Sequence, residues 1–400
     1  MTNTYEAIVV GARCAGSPTA MLLAEAGHRV LLVDKATFPS DTVSTHMIHA
    51  PGVAALRRWG LLDEVVATGC PPIETYTFDF GPLVLTGSSL PVDGSSTGYA
   101  PRRTVVDKIL VDGAVRAGVE VREGFSVDEV IVEDGVVRGV RGHGPDGVAV
   151  TELAPVVIGA DGRSSRVARA VQPEEYLSKP VLQQGFYTYF RDLPVNGFEV
   201  FIRPDRGWGA FPTNDGLTLV VVGWPSAEAD AFKADPEANF LMTLELAREF
   251  AERVRGATRV ERLTAAAVPN FFRKPYGAGW VLVGDAGYTK DPITAQGMPD
   301  AFLDAERIAA ALDDVFCGRS SFDDAMRAAH QARDAHALPV YDFTTALATL
   351  APPPPEQIQL LAAAQGNQAA TDGFVSLTTG ALSPTDYFSD ANMASIMAGV

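Results

Sequence analysis

Cysteine is scarce in this 400-residue chain: Cys14, Cys70 and Cys317 are widely spaced and odd in number. They cannot build a disulfide framework and show no metal-ligand spacing, so no metal site is expected. Basic residues are outnumbered, 32 Lys and Arg against 49 Asp and Glu, for a formal charge of −17. A phosphate-reading surface needs a cationic face that releases counterions, which argues against nucleic acid as a partner. Long apolar runs are lacking too. None approaches the roughly 20 residues of a spanning helix, and no basic-then-apolar segment precedes the first strand pattern. Neither a membrane span nor a secretory signal is expected, and the expected address is cytoplasmic. Internal repeats are absent.

What the chain does have is 47% hydrophobic residues spread evenly with 20% charged ones, the mark of a soluble globular protein. Its length exceeds one ordinary core and implies two intimately joined domains.

The apolar run ending at Val10 stops at Gly11, as a buried strand does. Strong helix formers follow from Ser17 to Ala26, with Pro18 where a first turn tolerates it. Gly27 ends that helix, and a second strand runs to Asp34. Strand, glycine turn, helix, strand and acid make a unit that holds a dinucleotide. The helix N-terminus offers unpaired N–H groups to the pyrophosphate, Gly16 permits close helix–strand packing, and Asp34 stands where a carboxylate accepts ribose hydroxyls. Arg13 occupies the middle glycine position of G-x-G-x-x-G, where its side chain crowds the phosphate path although its charge suits one. Taken alone, Gly11–Gly16 reads equally well as an ordinary strand-to-helix turn.

Two later segments change that balance. One is a buried strand entering Asp161-Gly162. The other is a strand from Trp280 entering Gly284-Asp285, followed by Asp291-Pro292 and then Gly297-Met298, just ahead of a helix-period run from Asp300 to Leu312. Together these resemble the flavin-binding fingerprints of the class A flavoprotein monooxygenases, the p-hydroxybenzoate hydroxylase-like fold shared with flavin halogenases and geranylgeranyl reductases. The resemblance runs through nearly the whole chain. It implies an α/β fold in which a Rossmann-type, glutathione reductase-like FAD-binding domain (1–72, 98–180 and 265–330) is interleaved with an antiparallel β-sheet substrate domain (73–97 and 181–264). C-terminal helices (331–400) follow, expected as a cap against the flavin domain after the break at Pro352–Pro355.

The resemblance also implies roles. Gly11, Arg13, Gly16 and Asp34 stand at the adenosine and pyrophosphate. Arg103 opens a helix and touches FAD. Asp161 and Gly162 serve FAD and a transient NAD(P)H, Gly284 and Asp285 the ribityl side, and Pro292, Gly297 and Met298 the isoalloxazine. Backbone N–H groups of Gly297 and Met298 would stabilise reduced flavin, and O2 would be activated as a C4a-hydroperoxide that oxygenates a small or medium aromatic or polycyclic metabolite. Two positions depart from the pattern: Ala168 replaces an arginine, with Arg166 and Arg169 close by, and Ala295 replaces a glycine. The alternatives are a double-bond reductase of the geranylgeranyl reductase kind, a flavin halogenase (whose Trp-x-Trp-x-Ile-Pro signature is not present) and a flavin-fold protein that binds without turnover.

Acid–base candidates are few. His46 lies where the resembled fold approaches the flavin and could relay a proton, with His49 beside it; either could instead pack the following helix. Phe186, Tyr187, Tyr189, Phe201, Trp208, Phe211 and Trp224 lie on strand-like runs whose alternation sends about half of them into the sheet core. Cys14, beside a helix N-terminus, reads as a packing residue.

Overall fold

In the computed structural model, which describes residues 5–397, Ala7–Val10 is a fully buried strand. It lies within a six-stranded sheet ordered Tyr276–Gly277, Trp280–Leu282, Val156–Gly159, Ala7–Val10, Val30–Val33, Glu120–Arg122. Every join is parallel except the outermost, Tyr276–Gly277 on Trp280–Leu282. Parallel strands need long crossovers, so the sheet draws on segments far apart in the chain. One face packs on helices: Ala20, Met21 and Leu23, then Val106 and Leu110, then Phe302, Ala305 and Ile308 are buried there with Val9, Leu32 and Ile158. The other face is covered by the three-stranded sheet Ser126–Glu133, Val136–His143 and Ala149–Leu153, through Val127, Val130, Val137 and Val140 against Ile8, Val10 and Leu31. Both faces are thus closed, which is why these strands are continuous apolar runs.

A second sheet of eight strands holds the runs Gln183–Arg191, Leu217–Pro225, Arg206–Pro212 and Phe198–Arg203, then Tyr76–Asp79 and Val84–Gly87. Nine residue pairs join Gln183–Arg191 to Leu217–Pro225. The turn Asn214–Gly216 that begins Leu217–Pro225 has φ of 62° at Asp215 and 65° at Gly216, the positive values that Asp and Gly tolerate. The sheet is not wholly antiparallel. Phe198–Phe201 runs parallel to Tyr76–Asp79, because the two pieces arrive from opposite sides of the intervening flavin-side segment and no hairpin can link them.

Alternation then divides the aromatics. Phe186, Phe201, Trp208 and Trp224 are buried with Phe232, Phe240 and Phe250 of the helical stretch after Pro225. Tyr187, Tyr189 and Phe211 face the other way, with Tyr76 and Phe78. That second face is covered by the C-terminal helices Pro355–Ala364, Gln368–Thr379 and Asp390–Met397 through Leu360, Leu361, Val375, Leu377 and Ile396. The helices after Pro352–Pro355 therefore cap the second sheet rather than the flavin-side layer, whereas the preceding helix Phe322–Leu347 packs on the flavin side through Ala337 and Tyr341 against Phe272 and Tyr288. Only one side of Tyr76–Asp79 and Val84–Gly87 is closed by their own domain, and the apolar stripe left over draws the helices onto it. The last helices still touch the flavin side, where the Gln296 amide donates to the Thr378 carbonyl at 2.9 Å. Among the described residues, no helix is long and apolar enough to cross a membrane.

Candidate functional site

The three glycine-bearing segments converge on one cavity of about 790 Å³, lined from both large sheets. That lies within the usual range for a cofactor or ligand site, roughly 300–1,000 Å³. Gly11, Arg13, Asp34, His46, Arg103, Asp161, Gly162, Gly284, Asp285, Pro292, Gly297 and Met298 all line it. Gly16 does not; it acts one layer behind.

Close approach explains both glycines of the first turn. Gly11 sits at φ +105°, and a Cβ there would lie 2.4 Å from the Ala160 carbonyl oxygen. A Cβ on Gly16 would lie 1.7 Å from the Gly11 carbonyl oxygen. Neither position takes a side chain without moving backbone. Asp34 at the end of the second strand accepts from the amides of Ala12 (2.7 Å) and Ala36 (2.8 Å). Its carboxylate thereby fixes the glycine turn that it borders.

Arg13 does not project across the phosphate path. Its guanidinium turns onto Asp107 at 2.5 Å and Ser40 Oγ at 2.6 Å. Arg103 reaches the same carboxylate through Nε and Nη2, at 3.1 and 2.9 Å. Asp107 is fully buried, so one carboxylate orders two cations that line the cavity. Cys14 also contacts Asp107, and burial pushes its thiol up to about 12, outweighing the helix terminus beside it and leaving it inert.

Three helices begin at the cavity, Gly16–Glu25, Arg103–Arg116 and Gly297–Phe316, and none has a side-chain cap. The N–H groups of their first turns lack partners within the helix and aim positive charge into the chamber. By contrast, the helix Arg166–Val171 is capped twice, by Ser165 Oγ on the Ala168 amide and by Asp161 Oδ2 on the Arg166 amide at 2.6 Å. The other oxygen, Asp161 Oδ1, is buried without a partner.

On the far segment the Gly284 amide donates to Asp304 Oδ2 at 2.9 Å. The Asp285 carboxylate opens onto the cavity. The protein surrounding it raises its pKa by burial, opposed by Arg103, Lys290 and Arg163. Pro292–Thr294 form a single 3-10 turn, which ends at Ala295 with φ +51°. A residue with a Cβ there carries strain of roughly 1–2 kcal/mol where a glycine would carry none.

His46 is placed at the cavity edge but is 2% exposed, with both nitrogens engaged. Nδ1–H donates to the Ala100 carbonyl at 3.0 Å, which leaves Nε2 to accept from the Tyr189 hydroxyl at 2.9 Å. Burial lowers its pKa to about 3, so this imidazole stays neutral. His49 is similarly held between Tyr76 Oη (3.3 Å) and the Thr294 carbonyl (3.2 Å), and burial lowers it to about 4. These bonds give both histidines a positioning geometry and leave no lone pair free to take a proton from a ligand. Of the sheet aromatics named from the sequence, Tyr187 alone lines the cavity; the other six are core.

The cavity residue Asp291 and its buried partner Gln183 escaped the sequence reading as functional candidates. Asp291 was visible as the partner of Pro292, but its pairing with Gln183 spans 108 residues. Asp107 was visible four residues after Arg103, yet its link to Arg13 spans 94. Cys317, outside the cavity, lies with His28 and Asp313 in a group of metal-ligand type; Asp313 is already held there by His28 at 2.8 Å and by Arg319.

Close-packed glycine turns, uncapped helix starts and the Asp34 carboxylate gathered around one cavity fit a dinucleotide cofactor. The chain belongs to the FAD binding domain family, whose profile matches residues 4–344, and it is an FAD-dependent oxidoreductase. Digeranylgeranylglycerophospholipid reductase of Methanosarcina acetivorans is 28% identical over 337 residues, covering 81% of this chain and 79% of that one. Digeranylgeranylglycerophospholipid reductase 2 of Methanopyrus kandleri is 30% identical over 309 residues, covering 74% and 73%. Among solved structures, the myxobacterial chondrochloren halogenase CndH superposes with a TM-score of 0.80 at 24% identity over 100% of this chain and 98% of that one. PqsL of P. aeruginosa in complex with 2-aminobenzoylacetate superposes at 0.76 and 20%, over 93% and 99%. At these identities the two structures are similar in fold.

Proposed function

We propose that this protein is an FAD-dependent monooxygenase that uses NAD(P)H and O2 to oxygenate a small or medium aromatic or polycyclic metabolite. One observation carries the choice. The sheet face that would have to open into a long apolar groove for an isoprenoid chain is packed shut by Leu360, Leu361, Val375, Leu377 and Ile396. The cavity wall beside the second sheet is instead mixed in character, with Tyr187, Val221, Ala266 and Val268 near Asp291, which accepts from Gln183. A flat ring with one or two polar substituents suits such a wall better than a polyisoprenyl tail.

The residues present fit FAD. Gly11, Gly16 and Asp34 would hold the adenosine half, with Arg13, Arg103 and the uncapped first turns on the pyrophosphate. Asp161 Oδ1, buried and unpartnered, is a ready acceptor for a cofactor hydroxyl or amide, and Asp285 would accept from the ribityl chain. When bound, the flavin supplies two-electron reduction by NAD(P)H and the activation of O2. The chain's part is to bind, orient and keep water out. The Gly297 and Met298 amides would face the ring edge that becomes anionic on reduction, and the buried walls would protect the reactive species from hydrolysis.

The second reading, reduction of a double bond, is favoured by the reductases to which the sequence is related at 28–30% identity. A screen of phenolic and polycyclic aromatic compounds with the FAD-loaded enzyme and NADPH under isotopically labelled O2 separates the two. Labelled oxygen in a product is expected. A product formed equally well without O2, two hydrogens heavier and free of label, would overturn the oxygenase reading in favour of the reductase.

A further inference from the structure

Asp291 is 1% exposed, yet it lines the cavity. Its two oxygens are treated differently. Oδ1 accepts from the Gln183 amide at 2.5 Å and from the Ile293 amide at 3.0 Å. Oδ2 is buried with no hydrogen-bond partner. The backbone around it is pinned, since the Asp291 amide donates to Asn270 Oδ1 at 2.7 Å and the Asn270 amide in turn holds the Pro180 carbonyl at 2.9 Å. The groups bonded to it from the strands Gln183–Arg191 and Asn270–Arg273 and from its own turn are all neutral. Lys290, the adjacent cation, is paired with Asp300.

A carboxylate that only capped the turn at Ile293 would not need an unpaired oxygen in a wall of the chamber. Leaving a charged oxygen buried and unpaired costs far more than leaving a neutral O–H there, and an acceptor on a ligand would offset the smaller cost. Burial raises the pKa to about 7, opposed by the bonds from Gln183 and Ile293, as expected for a carboxyl without a counter-cation.

We propose that Asp291 is held as a neutral carboxylic acid whose Oδ2–H recognises an oxygen or nitrogen acceptor on the molecule bound at the ring end of the cavity, and can pass its proton to that atom. In such a transfer the O–H bond at Oδ2 breaks, a bond from hydrogen to the acceptor forms, and Asp291 is left as carboxylate until solvent returns a proton. No redox partner is needed. The ligand class that follows is a phenol, enol or ketone rather than a hydrocarbon or a carboxylate, the last being repelled once Asp291 ionises. This inference rests on the oxygenase reading for the identity of the substrate but not for the state of the acid.

Infrared difference spectroscopy of the FAD-loaded, substrate-free protein against pH is the test. A protonated-carboxyl band in the wild type, titrating with a midpoint near 7 and missing in Asp291→Asn, is expected. Gln183→Leu removes a donor that favours the carboxylate and should move the midpoint upwards by about one pH unit. It also serves should Asp291→Asn fold poorly. In parallel, binding of 4-hydroxyacetophenone, read from the flavin spectrum, should weaken tenfold or more in Asp291→Ala. A midpoint below about 5, or a Gln183→Leu midpoint that stays put, would overturn the proposal. Failure of the oxygenase reading would show only in product analysis and leave the band in place.

Discussion

The shared carboxylate of Asp107 offers the sharpest quantitative prediction. It has no exposed surface and accepts from Arg13 at 2.5 Å and from Arg103 at 2.9 and 3.1 Å. The Arg103 side chain is 10% exposed and that of Arg13 24%, so water cannot replace the lost partner fully. Removing one member of a buried ion pair typically destabilises by about 3–5 kcal/mol, since the remaining charge stays uncompensated. Asp107→Asn keeps the shape and one acceptor but turns an N–H₂ towards a guanidinium, so a loss of about 3 kcal/mol is expected in the FAD-free protein. Both arginines line the cavity, and a bound pyrophosphate would give them a second anion. Saturating FAD should then recover part of the loss, roughly half, through its tighter binding to the variant's unpaired cations. Urea unfolding at pH 7, with and without FAD, reads both numbers from the midpoints at constant slope. A loss under about 1 kcal/mol without FAD would refute the buried-pair reasoning. An equal loss in both states would refute the sharing of these arginines with the cofactor.

Asp285→Ala should yield folded protein without the yellow cofactor, and Gly11→Trp should lose the cofactor together with stability, because even a Cβ meets the Ala160 carbonyl at 2.4 Å; a normal flavin content in both would remove these residues from the site. His46→Phe should cost about 1–3 kcal/mol by leaving the Tyr189 hydroxyl without its acceptor, while the Ala100 carbonyl keeps the Thr213 hydroxyl. With its pKa lowered to about 3, His46 should leave the pH–rate profile between 5 and 8 unchanged in shape, and loss of a limb near pH 6 in the variant would restore it as a proton relay. Asp291 carries a folded-state pKa raised to about 7 above an ordinary value of about 3.9. Its contribution is therefore most favourable below about pH 4, falls as pH rises through 7 and is flat beyond. Asp291→Asn should accordingly gain on the wild type between pH 4 and 8, by up to about 4 kcal/mol, in paired denaturation curves of the FAD-free protein; a flat difference would count against a buried acid.

Local chemistry made much of the fold legible. Gly11 and Gly27 punctuate strand and helix, Asp215-Gly216 needs positive φ, and runs such as Val156–Gly159 are apolar because both sheet faces are covered. The residues picked from the three glycine segments come to one cavity because each closes a strand of the same parallel sheet at the same edge. What stayed hidden depends on contacts between distant segments. Nothing near Arg13 announces Asp107, and nothing near Asp291 announces Gln183. Of the C-terminal region, only the helices after Pro352–Pro355 lie on a layer other than the expected one: they are apolar in a way that does not name the partner, and Tyr76, Phe78 and Leu85 reveal their uncovered side only once the sheet is assembled. His46 looked reactive beside the flavin loop; its two hydrogen bonds, to Ala100 and to Tyr189, were not readable from its neighbours in the chain.

The most direct test is rapid mixing of the anaerobically reduced, FAD-loaded protein with O2, with and without a phenolic substrate. Fast flavin reoxidation coupled to transfer of one oxygen atom into the substrate is the result expected of a monooxygenase. Sluggish reoxidation, with the substrate instead reduced before O2 is added, would contradict it.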